Sequence, residues 1–172
     1  MNRQELFHEV KTWLKDEKLA CSADPGDATF DGQTNTESGL VQVRMVCEES
    51  PAILQVVCAL PLRVLHAKTA ETALFLHQVN ACLRNGSFHL IPDQRLIVFR
   101  LTMPVRPEAD LPGQFREAFG TALGTWDDYL PPLALLLCAT GAAQKALAKL
   151  APEADARAAL PELAMTRRLE LN

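Results

Sequence analysis

The chain has 172 residues, of which 48% are hydrophobic and 22% charged, with a formal net charge of −4. That length suits one domain, the apolar share can supply a core, and no Lys/Arg run offers the footprint of a nucleic-acid binder. The most apolar stretch, Leu133 to Ala143, is far short of the ~20 residues of a membrane span, and Met1-Asn2-Arg3-Gln4-Glu5 lacks a signal-peptide layout, so a cytoplasmic protein with no membrane span is expected.

Asn2 is placed to cap a first helix, and Glu5, three residues on, completes a capping-box pattern. Leu6, Phe7, Val10, Trp13 and Leu14 then recur at helical spacing while Lys11, Lys15, Asp16 and Lys18 face away, the pattern of a helix with one buried stripe. It ends before Asp24-Pro25-Gly26. Residues 22–39 are polar and read as a long loop, crossed by a short strand around Ala28–Phe30. From Leu40 the period becomes two: Val41, Val43, Met45 and Cys47 alternate with Gln42, Arg44, Val46 and Glu48. After a turn at Glu49-Ser50-Pro51, the apolar run Ile53 to Leu60 reads as a central strand covered on both faces, paired with its predecessor as a hairpin.

Residues 69–85 predict a second helix, with Thr69 as its cap and Gly86 at its C′ position. It carries two apolar stripes, Ala73, Leu74 and Ala81 on one side and Phe75, Leu76, Val79 and Leu83 on another, so packing on more than one side is expected. A second hairpin follows, Phe88 to Ile91 and Leu96 to Leu101, around a type I turn at Pro92-Asp93. Asp110 and Pro112 open a helix through Phe115, Ala118, Phe119, Ala122 and Leu123 towards Trp126, and Pro131-Pro132 starts a separate helix to about Leu150. Residues 151–172, broken by Pro152 and Pro161, read as a helical or irregular appendage to a domain of residues 1–150. The order α-β-β-β-α-β-β-α-α, with no βαβ rhythm, predicts an α+β fold. Its antiparallel sheet is made of two hairpins around a central helix, with flanking N- and C-terminal helices.

The residues that could carry chemistry form no assembled constellation in the sequence. His8, His66, His77 and His89 lack partners at metal-ligand spacing. Ser87 and His89 point to one side of a strand, but no nucleophile elbow surrounds Ser87. Asp24, Asp27 and Asp31 miss the EF-hand spacing and read as turn residues. Asn85-Gly86-Ser87 is a glycosylation sequon without secretion to give it meaning. Gly120 and Gly124 stand four apart on a helix, as close helix packing or a bend would require. Trp126 and Tyr129 could anchor a partner; the preferred reading is structural, with Trp126 in the core and Asp128 capping the next helix. Five cysteines, without a C-x-x-C pair, read as reduced thiols: Cys47, Cys58, Cys82 and Cys138 buried, and Cys21 reactive at a helix-to-loop boundary.

The central segment LHQVNACLRNGSFHLIPDQRLIVFRLTMP (residues 76–104) resembles the YbjN family of sensory-transduction regulators. The matching pieces are Leu76…Asn80 on the central helix, Gly86-x-Phe88 opening a strand, and Leu96-x-Val98-x-Arg100-Leu101 on the next. WDDYLPPLALLL (residues 126–137) resembles that family's aspartate-tyrosine-x-proline run into its last helix. The resemblance covers residues 2–150. It implies the fold of type III secretion chaperones, typically homodimers that hold extended segments of client proteins, and it brings no catalytic residues and no cofactor. It also implies a tighter first strand region than the polar segment 22–39. The expected function is a non-enzymatic, protein-binding, chaperone-like regulatory module; the alternative is a dedicated type III secretion effector chaperone, and an enzyme with a site assembled from scattered residues is the rival of another class.

Overall fold

The computed structural model describes residues 1–138, and of these the side chains of residues 60–62 and 138 are left aside. The first helix, α1 (Arg3–Asp16), starts at the predicted capping box: the Asn2 side chain accepts from the Glu5 N–H at 2.9 Å, and the Asn2 N–H donates to the Glu5 carboxylate at 2.8 Å. Its predicted stripe, Leu6, Phe7, Val10, Trp13 and Leu14, is the buried one. Four strands follow, β1 (Cys21–Asp24), β2 (Thr29–Thr36), β3 (Gly39–Glu48) and β4 (Ile53–Arg63). A 3-10 turn leads into α2 (Thr69–Cys82), then come β5 (Ser87–Ile91), β6 (Leu96–Pro104) and α3 (Leu111–Cys138). The strands form one antiparallel sheet in the order β1-β2-β3-β4-β6-β5. The fold is α+β. Helix α1 packs on β3 and α3 on β4 and β6, while α2 lies along β5.

The polar segment 22–39 is sheet and not loop. β2 pairs with β3 along its whole length, from Thr29↔Val46 to Thr36↔Gly39, and β1 adds a further strand outside it. Only Phe30 of β2 is buried, stacked on Phe7 at 4.5 Å, and all of β1 is exposed. The edge strand β1 and its inner neighbour β2 fully bury only that one side chain, so they lack the apolar alternation by which strands are read, and backbone pairing decides their state. The run Ile53 to Leu60 is not covered on both faces. Leu54, Val56 and Cys58 are buried under the helices, and Ile53, Gln55, Val57 and Ala59 are half-exposed on the other face.

The central helix also departs from expectation. Thr69 does not cap it, since the Thr69 hydroxyl donates to the Leu65 carbonyl at 3.4 Å and a 3-10 turn precedes the helix. The helix ends at Cys82, three residues short of the predicted limit. Gly86 is therefore not its C′ residue but a turn residue at φ +75°, where a Cβ would lie 2.4 Å from the Phe99 ring and 2.8 Å from the Arg100 carbonyl oxygen. Only one of its two apolar stripes is buried, with Thr72, Phe75, Leu76 and Val79 inside and Ala73, Leu74 and Ala81 exposed.

The expected helix break at Pro131-Pro132 is absent, and α3 runs through both prolines to Cys138. Proline at position 131 donates no hydrogen bond to the carbonyl of Asp127, four residues back. That freed carbonyl accepts instead from the Ser38 hydroxyl, at 3.3 Å, in the β2–β3 turn. Buried Leu130, Leu133 and Leu136 hold the helix to the core on either side of the prolines. The predicted extension to Leu150, the 1–150 boundary and the appendage 151–172 lie outside the described residues.

Candidate functional site

The candidate catalytic and metal-binding residues are held in separate local roles. The Asp24 side chain accepts from the Gly26 N–H at 2.8 Å and the Asp27 N–H at 3.3 Å, so it shapes the β1–β2 turn. Asp31 grips Arg44 of the neighbouring strand through two bonds, of 2.6 and 3.0 Å. His8, His66 and His77 are exposed. Among the described residues no three His, Cys, Asp or Glu side chains are grouped to hold a metal ion. Ser87 and His89 do meet, Oγ to Nε2 at 2.7 Å. Partial burial and then the neighbouring Arg100 charge hold the His89 pKa below its ordinary value, so the imidazole is neutral at pH 7. The pair stands on an edge strand with His89 exposed. Gly120 and Gly124 face open space, so neither the close packing nor the bend expected of them needs a glycine there.

The tryptophan-aspartate-tyrosine cluster is structural, though not quite as predicted. Trp126 is buried, with its ring 6.0 Å from that of Phe88, and Tyr129 meets the same ring edge-on at 5.6 Å. Asp128 caps nothing, because α3 has no end there. Asp127 carries the role that the sequence did not reveal. Its carboxylate accepts the Ser38 N–H at 3.0 Å and the Glu37 N–H at 3.3 Å, clamping the β2–β3 turn onto α3. Burial alone would raise its pKa, but hydrogen bonds from Thr36, Ser38 and Glu37 outweigh that and hold it below the usual carboxylate value. A second such clamp is Asn80 of α2. Its side chain accepts the Phe88 N–H at 2.7 Å and donates to the Phe88 carbonyl at 2.8 Å, closing the outer edge of β5 at that residue.

Two surfaces remain open. The first is the outward ridge of α2, where Ala70, Ala73, Leu74, His77 and Ala81 are all exposed and none is an ion pair member. Leu74 is 59% exposed, and Leu65, just before the helix, is 64% exposed. The second is a groove of about 560 Å³ between α1 and the free edge of β1. His8, Lys11 and Lys15 form one wall, Ala20, Cys21 and Ala23 the other, and Leu14, Leu19 and Phe30 the apolar floor. The thiols divide by burial. Cys47 and Cys58 are buried and pushed up to about 12, Cys21 is exposed, and Cys82 is half-buried where full burial was expected. The side chain of Cys138 lies outside the described residues.

No helix among the described residues is long and apolar enough to cross a membrane. The chain is similar in structure to YbjN, "a putative transcription regulator from E. coli", at a TM-score of 0.48 and 10% identity, over 72% of this chain and 92% of the other. It is likewise similar to a chain of the HopA1–SchA chaperone–effector complex, at a TM-score of 0.43 and 16% identity, over 73% of this chain and 94% of that one. No curated protein matches it. The profile of the YbjN family, "Putative bacterial sensory transduction regulator", matches residues 7–135, well over half of the chain, and the protein therefore belongs to the YbjN family.

Proposed function

We propose that the protein is a non-enzymatic, protein-binding module of chaperone-like, regulatory type that works in the cytoplasm as a homodimer, with residues 1–150 as its functional domain. The observation that carries this reading is the bare apolar ridge of α2. Three large hydrophobic side chains are exposed among the described residues; one of them, Leu74, lies on this ridge and another, Leu65, just before the 3-10 turn that leads into the helix. Apolar surface of that kind marks a place where another polypeptide sits. The small side chains of Ala70, Ala73 and Ala81 let a second helix approach closely, and a patch without Lys, Arg, Asp or Glu can face its own copy across a two-fold axis.

The test is light scattering on the wild type and on L65E/L74E. The expected masses are two chains and one chain, with unchanged circular dichroism. A wild-type mass of one chain at tens of micromolar would refute the dimer. Binding is tested separately: the wild type should suppress aggregation of a chemically unfolded model protein, and S87A and H89Q should do so equally well. Loss of a measurable turnover on either of these substitutions, with the fold intact, would instead favour an enzyme.

A further inference from the structure

We infer that the face of the sheet turned away from the helices binds a small organic carboxylate, its anionic head on Arg100 and Ser87 and its apolar body laid along β6. Strand alternation builds this face. Ile97, Phe99 and Leu101 of β6 are buried on the helix side, so Leu96, Val98 and Arg100 point the other way. Cross-strand pairing continues the face through Ser87 and His89 of β5 and through Val57 and Ala59 of β4. Besides the two surfaces described above, it carries a hollow of about 490 Å³, a size that suits a small molecule. Val57, Ala59, Leu96 and Val98 form its apolar floor, which is recessed, since Val98 is only 8% exposed.

The charges around the hollow choose the head group. Arg44 lines it on the β3 side but is held by Asp31, so that pair is neutral, and no other lining residue is charged. Arg100, at the opposite border, belongs to none of the ion pairs among the described residues, and Ser87, Val57, Val98 and Thr102 around it are uncharged. Ser87 stands directly opposite Arg100 on the neighbouring strand, which sets their Cβ atoms ~5 Å apart. His89 holds the Ser87 hydroxyl at 2.7 Å, and the Arg100 charge, second to burial, lowers the pKa of that imidazole. A neutral ring protonated at Nε2 donates to the Ser87 Oγ and leaves the hydroxyl proton to an incoming anion. The guanidinium fork matches the two oxygens of a carboxylate, and one unpaired guanidinium balances one negative charge, which favours a carboxylate over a phosphate dianion. Leu96 stands four residues from Arg100, ~13 Å along the strand, so an extended apolar body of about that length covers Val98 and the floor beside it.

The probe is decanoate below its micelle-forming concentration, titrated into the full chain and followed by two-dimensional amide NMR. Saturable shifts are expected at Val57, Ala59, Val98 and Arg100, with affinity falling at least tenfold in R100Q and at least threefold in S87A. Acetate, which has the head without the body, and decylammonium, which has the body with the opposite charge, should give no saturable shift at the same concentrations. Absence of saturable shifts with decanoate, or shifts confined to α2 or to the α1–β1 groove, would overturn the site. Equal binding by R100Q or by decylammonium would overturn the choice of an anion, and equal binding by acetate would overturn the apolar body. A lower light-scattering mass for R100Q than for the wild type would place a second copy of the chain on this face and overturn the ligand. If decanoate fails to bind while the protein still holds an unfolded model protein, this inference fails and the protein-binding reading survives.

Discussion

Asn80 offers the most direct measure of how α2 is tied to the sheet. Its amide satisfies both backbone groups of Phe88, at 2.7 and 2.8 Å, on an edge strand whose Phe88 side chain is buried against Phe99 and Trp126. In N80A both groups lose their partner. An unsatisfied buried backbone group costs about 1–3 kcal/mol, and water reaching this edge keeps each near the lower end, so the pair costs ~2–3 kcal/mol. Alanine is the better helix former by ~0.5 kcal/mol, which offsets part of the loss. The net is a destabilisation of ~1.5–2.5 kcal/mol, a sizeable part of the ~5–15 kcal/mol that holds a typical domain. Urea denaturation followed by tryptophan fluorescence should show it as a lower midpoint at constant slope. N80D, which keeps an acceptor for the Phe88 N–H but sets a carboxylate against the Phe88 carbonyl, should be no better than N80A. The exposed Gln78 of the same helix, changed to Ala, should move stability by less than ~0.5 kcal/mol. A loss in N80A no larger than that of Q78A would refute the clamp.

Asp127 has a depressed pKa in the folded state, so its contribution is fully present above the unfolded value near 3.8 and is lost as pH falls through the folded value. D127N should therefore be less stable than wild type by ~1 kcal/mol near pH 7, and the gap should close below about pH 4; a gap unchanged down to pH 2 would sink the assignment. Native alkylation at pH 8, mapped by peptide mass, should modify Cys21 quickly and leave Cys47 and Cys58 untouched, because burial holds both of those thiols protonated at this pH. Labelling of Cys47 or Cys58 at the rate of Cys21 would contradict the core described above.

Where burial writes a period into the chain, the sequence determined the structure: the α1 stripe, the alternation of β3, the β5–β6 hairpin and the capping box at Asn2 all stand as read, and so does the α+β class. The polar strands β1 and β2 bury too little to leave such a signal, which is why all but a short strand around Ala28–Phe30 read as loop; pairing of β1 with β2 and of β2 with β3 makes them sheet. Proline marks a helix end by local chemistry alone, and that signal misled at Pro131-Pro132, where a freed carbonyl found a donor in Ser38, a residue 93 positions before Pro131. Both stripes of α2 were legible, but which of them is bare depends on where β5 comes to lie. The roles of Asn80 and Asp127 depend on partners distant in the fold, Phe88 for one and the turn at Glu37 and Ser38 for the other. The α1–β1 groove needed a strand that the sequence hid. Its wall of lysines was visible from the start as the polar face of a helix, and only tertiary structure set it opposite an open strand edge, because the direction of a side chain is local while its neighbour across a groove is not.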